Sequence, residues 1–97
     1  MQTAGLIELA ATLAPNTWHE ITKIRDATAY LVRATPQQRE FDVHDDVDEF
    51  VIVLKGEFPL ETPAGRSVTR AGQSVLVPRG TPHRARVTDE AIIVLIR

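Results

Sequence analysis

The sequence predicts an all-β fold of the sandwich or barrel kind. Short runs rich in Val, Ile, Leu, Thr and aromatic residues recur along the chain, about nine in all. Gly, Pro and Asp interrupt them at close spacing, which is the rhythm of many short strands joined by tight turns. At 97 residues the chain reads as one domain over 1–97. A chain of this size buries only ~60–65% of its unfolded surface, so it is marginally stable alone.

The elements follow in order. Leu6 to Leu13 contains helix formers but stops at Pro15-Asn16-Thr17, so the N-terminal arm, residues 1–17, is read as extended or as a single helical turn. Trp18 to Ile24 alternates well enough for a half-buried strand, and Arg25-Asp26 turns the chain. Ala29 to Thr35 (AYLVRAT) is rich in strand formers and ends at Pro36. After a loop, Glu40 to His44 and Glu49 to Leu54 read as strands on either side of an acidic, solvated turn (Asp45, Asp46, Asp48). Lys55-Gly56-Glu57 is expected to turn the second of these over.

Phe58 to Thr62 and Arg66 to Arg70 form a hairpin around Pro63-Ala64-Gly65. Pro59 lacks an N–H to give a ladder, which predicts an edge position for its strand. Ser74 to Val77, Arg84 to Thr88 and Ala91 to Ile96 complete the set. Gly56, Gly72 and Gly80 read as turn glycines.

Two stretches carry chemistry. In a strand, residues two apart share a face, so Asp42 and His44 project together, roughly 7 Å apart along the chain. The acidic turn lets the chain fold back and set Glu49 beside them. Further on, an apolar strand runs into Pro78-Arg79-Gly80-Thr81-Pro82, and His83 stands where that turn meets the next strand. Arg84 and Arg86 alternate with His83 and are expected to point away from it.

With these residues in view the chain resembles the small cupins. His44, Glu49 and Gly56 stand in the register of the first cupin motif, and Gly72, Pro78, Gly80 and His83 in that of the second. The fifteen residues between Gly56 and Gly72 match the short spacing of small bacterial members, and the motifs span 36–87. Three positions depart: Pro36 for the first glycine, Asp42 for the first histidine, Val87 for the closing asparagine.

The resemblance implies a double-stranded β-helix, or jelly-roll barrel. It also implies a divalent metal held by His44, Glu49 and His83, with Asp42 at the remaining ligand position. Two imidazoles with one or two carboxylates suit Fe, Mn, Ni, Zn or Co, and the lack of sulfur disfavours soft-metal chemistry. The expected function is a metal centre that acts on or binds a small oxygenated metabolite such as a sugar, diketone or hydroxy acid. The alternative is a non-catalytic ligand- or metal-binding module.

Composition narrows the field. A net charge of -2 gives no electrostatic footprint for nucleic acid or an anionic membrane. There is no cysteine, hence no disulfide framework and no thiolate chemistry, in keeping with a cytoplasmic protein. The longest apolar run, Ala91 to Ile96, is far short of the ~20 residues a membrane helix needs. The N-terminus does not read as a signal peptide, and neither a phosphate-cradling glycine loop nor a serine nucleophile elbow occurs. Glu49 to Leu54 is apolar on both faces: Val51 and Val53 share Glu49's side, while Phe50, Ile52 and Leu54 take the other. Ala91 to Ile96 repeats the pattern. A barrel has one inside, so the outer set needs a cover, and a homodimer is the expected one.

Overall fold

The computed structural model describes residues 1–97. It contains one short helix, α1 (Leu6–Ala10), and seven strands: β1 (His19–Ile24), β2 (Ala27–Ala34), β3 (Glu49–Thr62), β4 (Gly65–Arg70), β5 (Ser74–Val77), β6 (Arg84–Ala85) and β7 (Ala91–Ile96). All pairings are antiparallel. The larger sheet runs β1-β2-β7-β3-β5, and the smaller runs β4-β3-β6. The two sheets make a double-stranded β-helix, a jelly-roll barrel, as expected from the sequence.

β3 joins the two sheets. Its first half pairs with β7 and β5, and its second half with β4 and β6. The expected turn at Lys55-Gly56-Glu57 is therefore a bend within one 14-residue strand. A bulge between Val53 and Lys55 and a φ of 79° at Gly56 redirect the chain without ending it. Gly56 is required on two counts. Its φ lies in the left-handed region, and a Cβ there would collide with the carbonyl oxygen of Glu90.

Pro59 is fully buried and its strand is flanked on both sides, contrary to the edge expected of it. The neighbour on one side, β6, is only two residues long, and near Pro59 it uses the proline carbonyl, which accepts from Arg86 N–H at 2.9 Å. A missing donor costs little where the acceptor is what is used. β6 is shorter than the Arg84 to Thr88 run predicted. Glu40 to His44 likewise is no strand: it reduces to one isolated bridge, Asp42 with His83. The Asp42 carboxylate explains this locally. Its Oδ1 accepts from the next amide, Val43 N–H, at 2.9 Å and draws the chain out of the pleat.

Alternation sorts the apolar residues into two clusters. Val32, Val51, Val53, Ile93 and Leu95 from the larger sheet face Phe58 and Leu60 from the smaller, forming the barrel core. Leu31, Ile92 and Val94 point out of the barrel and are covered by Ala10, with Leu6, Leu9 and Leu13 around it. The chain thus supplies part of the outer cover itself. Loss of a fully buried side chain such as Leu31 to Ala is expected to cost ~2–5 kcal/mol.

The arm that carries α1 is tied down by polar contacts. Arg33 donates from Nε and Nη2 to the Leu13 carbonyl at 3.1 and 2.8 Å. Asn16 bonds Thr35 twice, through Nδ2 to Oγ1 at 2.8 Å and through Oδ1 from N–H at 2.9 Å. The arm then delivers Trp18 against Tyr30, ring centroids 5.2 Å apart.

Candidate metal centre

The second motif builds the rigid side of the site. Thr81 N–H donates to the Pro78 carbonyl at 3.2 Å across Arg79 and Gly80, and Gly80 has a φ of 79°. This turn requires a positive φ at its third residue. Gly80 N–H reaches the His44 carbonyl at 2.7 Å, and Asp42 and His83 exchange backbone bonds of 2.8 and 2.9 Å. Asp48, expected to be only solvated, also joins the loops: its Oδ1 accepts from Arg79 N–H at 2.8 Å and from Arg79 Nε at 3.3 Å. The backbone bond from Arg79, then its side chain, holds the Asp48 carboxyl below its ordinary range.

These ties bring His44, Glu49 and His83 together, with donor atoms all within 4.8 Å of one another. Glu49 Oε1 is 3.3 Å from His44 Nε2 and 3.1 Å from His83 Nε2. Glu49 opens β3 and is only 5% exposed, so its charge is one the fold must compensate. His83 Nδ1 lies 2.8 Å from the Thr81 carbonyl. A carbonyl only accepts, so Nδ1 carries the proton there and Nε2 of the neutral ring is a lone pair.

That lone pair faces a carboxylate oxygen, two acceptors at 3.1 Å. Only a cation between them, a proton or a metal ion, makes the contact favourable. The donor set, two imidazole nitrogens and a carboxylate oxygen, fits a borderline divalent ion, and the His83–Thr81 bond is the kind of outer contact that orients a ligating histidine.

Asp42 lies beside this group but outside it. Its Oδ2 is 3.5 Å from His44 Nε2, and its side chain is 58% exposed. Asp42 and His44 therefore do project together, through the bridge to His83 rather than along a strand. Arg84 differs from expectation. It borders the same cavity, lies 4.2 Å over the Phe41 ring and donates to Glu61 Oε1 at 2.9 Å; Arg86 donates to the same oxygen at 2.6 Å. Hydrogen bonds from Arg86, then Arg84, hold the Glu61 carboxyl below its ordinary range.

The cavity behind the three donors has a volume of about 190 Å³. Its walls are Val51, Phe58, Leu60, Val77, Ile93 and Leu95, with charged residues at its margins. It is smaller than the ~300–1,000 Å³ typical of drug-sized ligands, and an apolar lining with few polar groups is the usual form of a small-molecule site. Two wall residues had no sequence signal. Trp18 lies between the N-terminal arm and β1, and Arg97 follows β7. Arg97 Nη1 is 3.7 Å from Glu49 Oε2, and its guanidinium lies 4.5 Å over the Trp18 ring.

Comparison with known proteins agrees with this architecture. The Bacillus subtilis (strain 168) uncharacterized protein YdbB is 35% identical over 71 residues, 70% of this chain. The aligned part spans 63% of that relative's length. Among solved structures, a cupin-2 domain containing protein from Shewanella frigidimarina superposes with a TM-score of 0.86 over 94% of this chain and 88% of its own, at 21% identity. Hydroquinone 1,2-dioxygenase PnpCD, in complex with Cd2+ and 4-hydroxybenzonitrile, gives a TM-score of 0.81 at 20% identity, covering 95% of this chain and 69% of its own. At these identities the likeness is one of fold. The family model for the cupin domain matches residues 30–96, a stretch that takes in all three converging donors, and the chain belongs to that family.

Proposed function

We propose that this protein is a small metal-binding cupin that acts on or binds a small oxygenated metabolite at a divalent metal centre. His44, Glu49 and His83 are its ligands, and Asp42 supports the site from beside His44. The observation that carries the reading is the convergence of His83 Nε2 and His44 Nε2 on one buried oxygen, Glu49 Oε1, at 3.1 and 3.3 Å, with His83 Nδ1 turned to the Thr81 carbonyl. A bound divalent ion would supply Lewis acidity toward a substrate oxygen. The residues hold the donors in place, and the apolar walls limit water. The structural neighbour described with Cd2+ and an aromatic nitrile supports the view that this fold can host both kinds of guest.

Elemental analysis of protein purified without chelator or nickel resin, followed by Mn(II), Fe(II), Ni(II), Zn(II) and Co(II) titration, tests the reading. One ion per chain is expected, with affinity falling as pH falls because protons compete for the ligands. Equal trace uptake of every ion by wild type and a His44→Ala, His83→Ala double variant would show that no such site exists.

The reading includes a homodimer in the reducing cytoplasm, the latter supported by the cysteine-free composition. The α1 cover stops short of one outer row of the larger sheet, where Leu76, Phe50 and Ile96 stand in register. Leu76 is 56% and Phe50 37% exposed. A second copy placing the same row against it is the simplest cover for a chain this small. Light scattering is expected to give twice the 10.8 kDa chain mass, and a Leu76→Lys, Phe50→Glu variant a single chain; a single-chain mass for wild type at micromolar concentration rejects the dimer.

A further inference from the structure

Three arginines border the cavity, and they differ in what occupies their donors. Arg84 is committed: it bonds Glu61 at 2.9 Å, reaches the Arg39 carbonyl at 3.5 Å and stacks on Phe41. Arg39 is exposed, and no contact fixes the plane of its guanidinium. Arg97 is the exception. Its backbone is locked to Thr28 by bonds of 2.8 and 3.0 Å, and its guanidinium carbon sits over the Trp18 ring, 4.5 Å from the centroid. Yet its N–H donors make no hydrogen bond. The one charged neighbour, Glu49 Oε2, is 3.7 Å away, beyond hydrogen-bond length.

Arg97 is thus an oriented fork of N–H donors beside the metal-site residues, paired with Glu49 at ion-pair distance but hydrogen-bonded to nothing. A side chain 30% exposed is partly desolvated, which strengthens a charge-assisted bond, and it can still be reached from the cavity. Glu49 is shared between Arg97 and the two histidines. The histidines face its Oε1 and Arg97 its Oε2, and no other carboxylate lies at ion-pair distance from Arg97. A planar guanidinium matches a carboxylate with two parallel bonds, which the point charge of a lysine does not. Both Trp18 and Arg97 fall outside residues 30–96, the part matched to the cupin domain.

We infer that Arg97, seated on Trp18, is the anchor for a carboxylate on the ligand, so that the site takes a small carboxylic acid whose body is apolar. The apolar walls and the cavity of about 190 Å³ receive that body. The inference rests on the reading of this cavity as the ligand site. It narrows the oxygenated metabolites considered above to acids and disfavours neutral sugars.

Trp18 is the only tryptophan in the chain, so its fluorescence reports on this wall without labelling. Benzoate and hexanoate, each beside its neutral amide, are titrated against the Mn(II)-treated and untreated full chain. Fluorescence and calorimetry both read the affinity. At least one acid is expected to bind tenfold or more tighter than its amide. Arg97→Gln should abolish that preference, a loss of at least tenfold or ~1.4 kcal/mol, and Arg97→Lys should restore only part of it. Unchanged melting midpoints show that the variants are folded.

Equal binding of acid and amide, no binding of either acid, or an unchanged preference in Arg97→Gln overturns the anchor. Should Mn(II) uptake be indifferent to His44 and His83 while the Arg97-dependent preference persists, the anchor stands and the metal reading falls. Normal metal uptake without any acid preference gives the reverse.

Discussion

The two walls of the cavity are built in opposite ways. His44, Glu49 and His83 are held by the turn in which Thr81 bonds Pro78 and by backbone bonds that tie the two motif segments directly together, Gly80 to His44 and Asp42 to His83. Trp18 and Arg97 come from opposite ends of the chain and meet only because β1, β2 and β7 lie side by side. The first wall needs the two motif segments to meet; the second exists only when β1, β2 and β7 have come together in the larger sheet. Two short segments can therefore carry a donor set whatever the facing wall is made of, which lets one fold serve different ligands.

The largest effect should come from the donor wall. Glu49→Gln keeps the shape but removes the charge shared by both imidazoles and, in the proposed site, one ligand. Titration is expected to show metal affinity down a hundredfold or more, ~2.7 kcal/mol, with no comparable loss in Arg97→Gln. Next comes Asp42→Ala, which removes the carboxylate 3.5 Å from His44 Nε2. A residue that orients a ligand typically costs ~10–100-fold when removed, and about tenfold is expected, since Asp42 is largely exposed. Metal affinity unchanged in Asp42→Ala would leave a site of two histidines and one carboxylate.

A smaller effect sharpens the contrast from the other side. Trp18→Leu removes the ring beneath Arg97 and should leave metal affinity within about twofold. By calorimetry, acid probes should weaken several-fold, in line with the ~0.5–2 kcal/mol of a cation–π contact. If metal affinity fell with it, the two walls would not be independent.

The smallest effect is a pH dependence of stability. Bonds from Arg86 and Arg84 lower the Glu61 carboxyl from its ordinary value of 4.5, and those from Arg79 lower Asp48 from 3.8. A depressed carboxyl stabilises the fold fully above its unfolded value, and that contribution is lost as pH falls through the lower folded value. Denaturant melts between pH 5 and 2 should therefore show Glu61→Gln and Asp48→Asn losing less stability on acidification than wild type. Asp48 is exposed and Glu61 only half-buried, so the differences will be small.

The donor wall was legible for the same reason that it is robust. Glycine and proline at Gly72, Pro78 and Gly80 report turns directly, and His44, Glu49 and His83 stand at fixed offsets from them. The strands were legible too, apart from those whose fate depends on distant partners. Glu40 to His44 has strand composition, but its only partner is His83, and one bridge does not make a ladder. Lys55-Gly56-Glu57 has turn composition, but β7 and β4 hold both sides of it straight through the bend. The two-sided apolar pattern of β3 and β7 correctly signalled an outer surface to be covered. It could not reveal that α1, ambiguous in the sequence, would cover Leu31, Ile92 and Val94. Arg97 over Trp18 had no local signature at all.

β3 is the shared member of both sheets, with four strands paired to it. In folding terms it is a keystone. Neither sheet can close before β3 has found its partners, all of which follow it along the chain, the furthest being β7; contacts this non-local are slow to assemble, in the millisecond-to-second regime of β-barrels. Once in place, β3 cannot be released from one sheet without loosening the other. Amide protons on either side of Gly56 should therefore exchange with solvent through one common opening, which ties the order of the donor residue at its head, Glu49, to a hairpin at its far end.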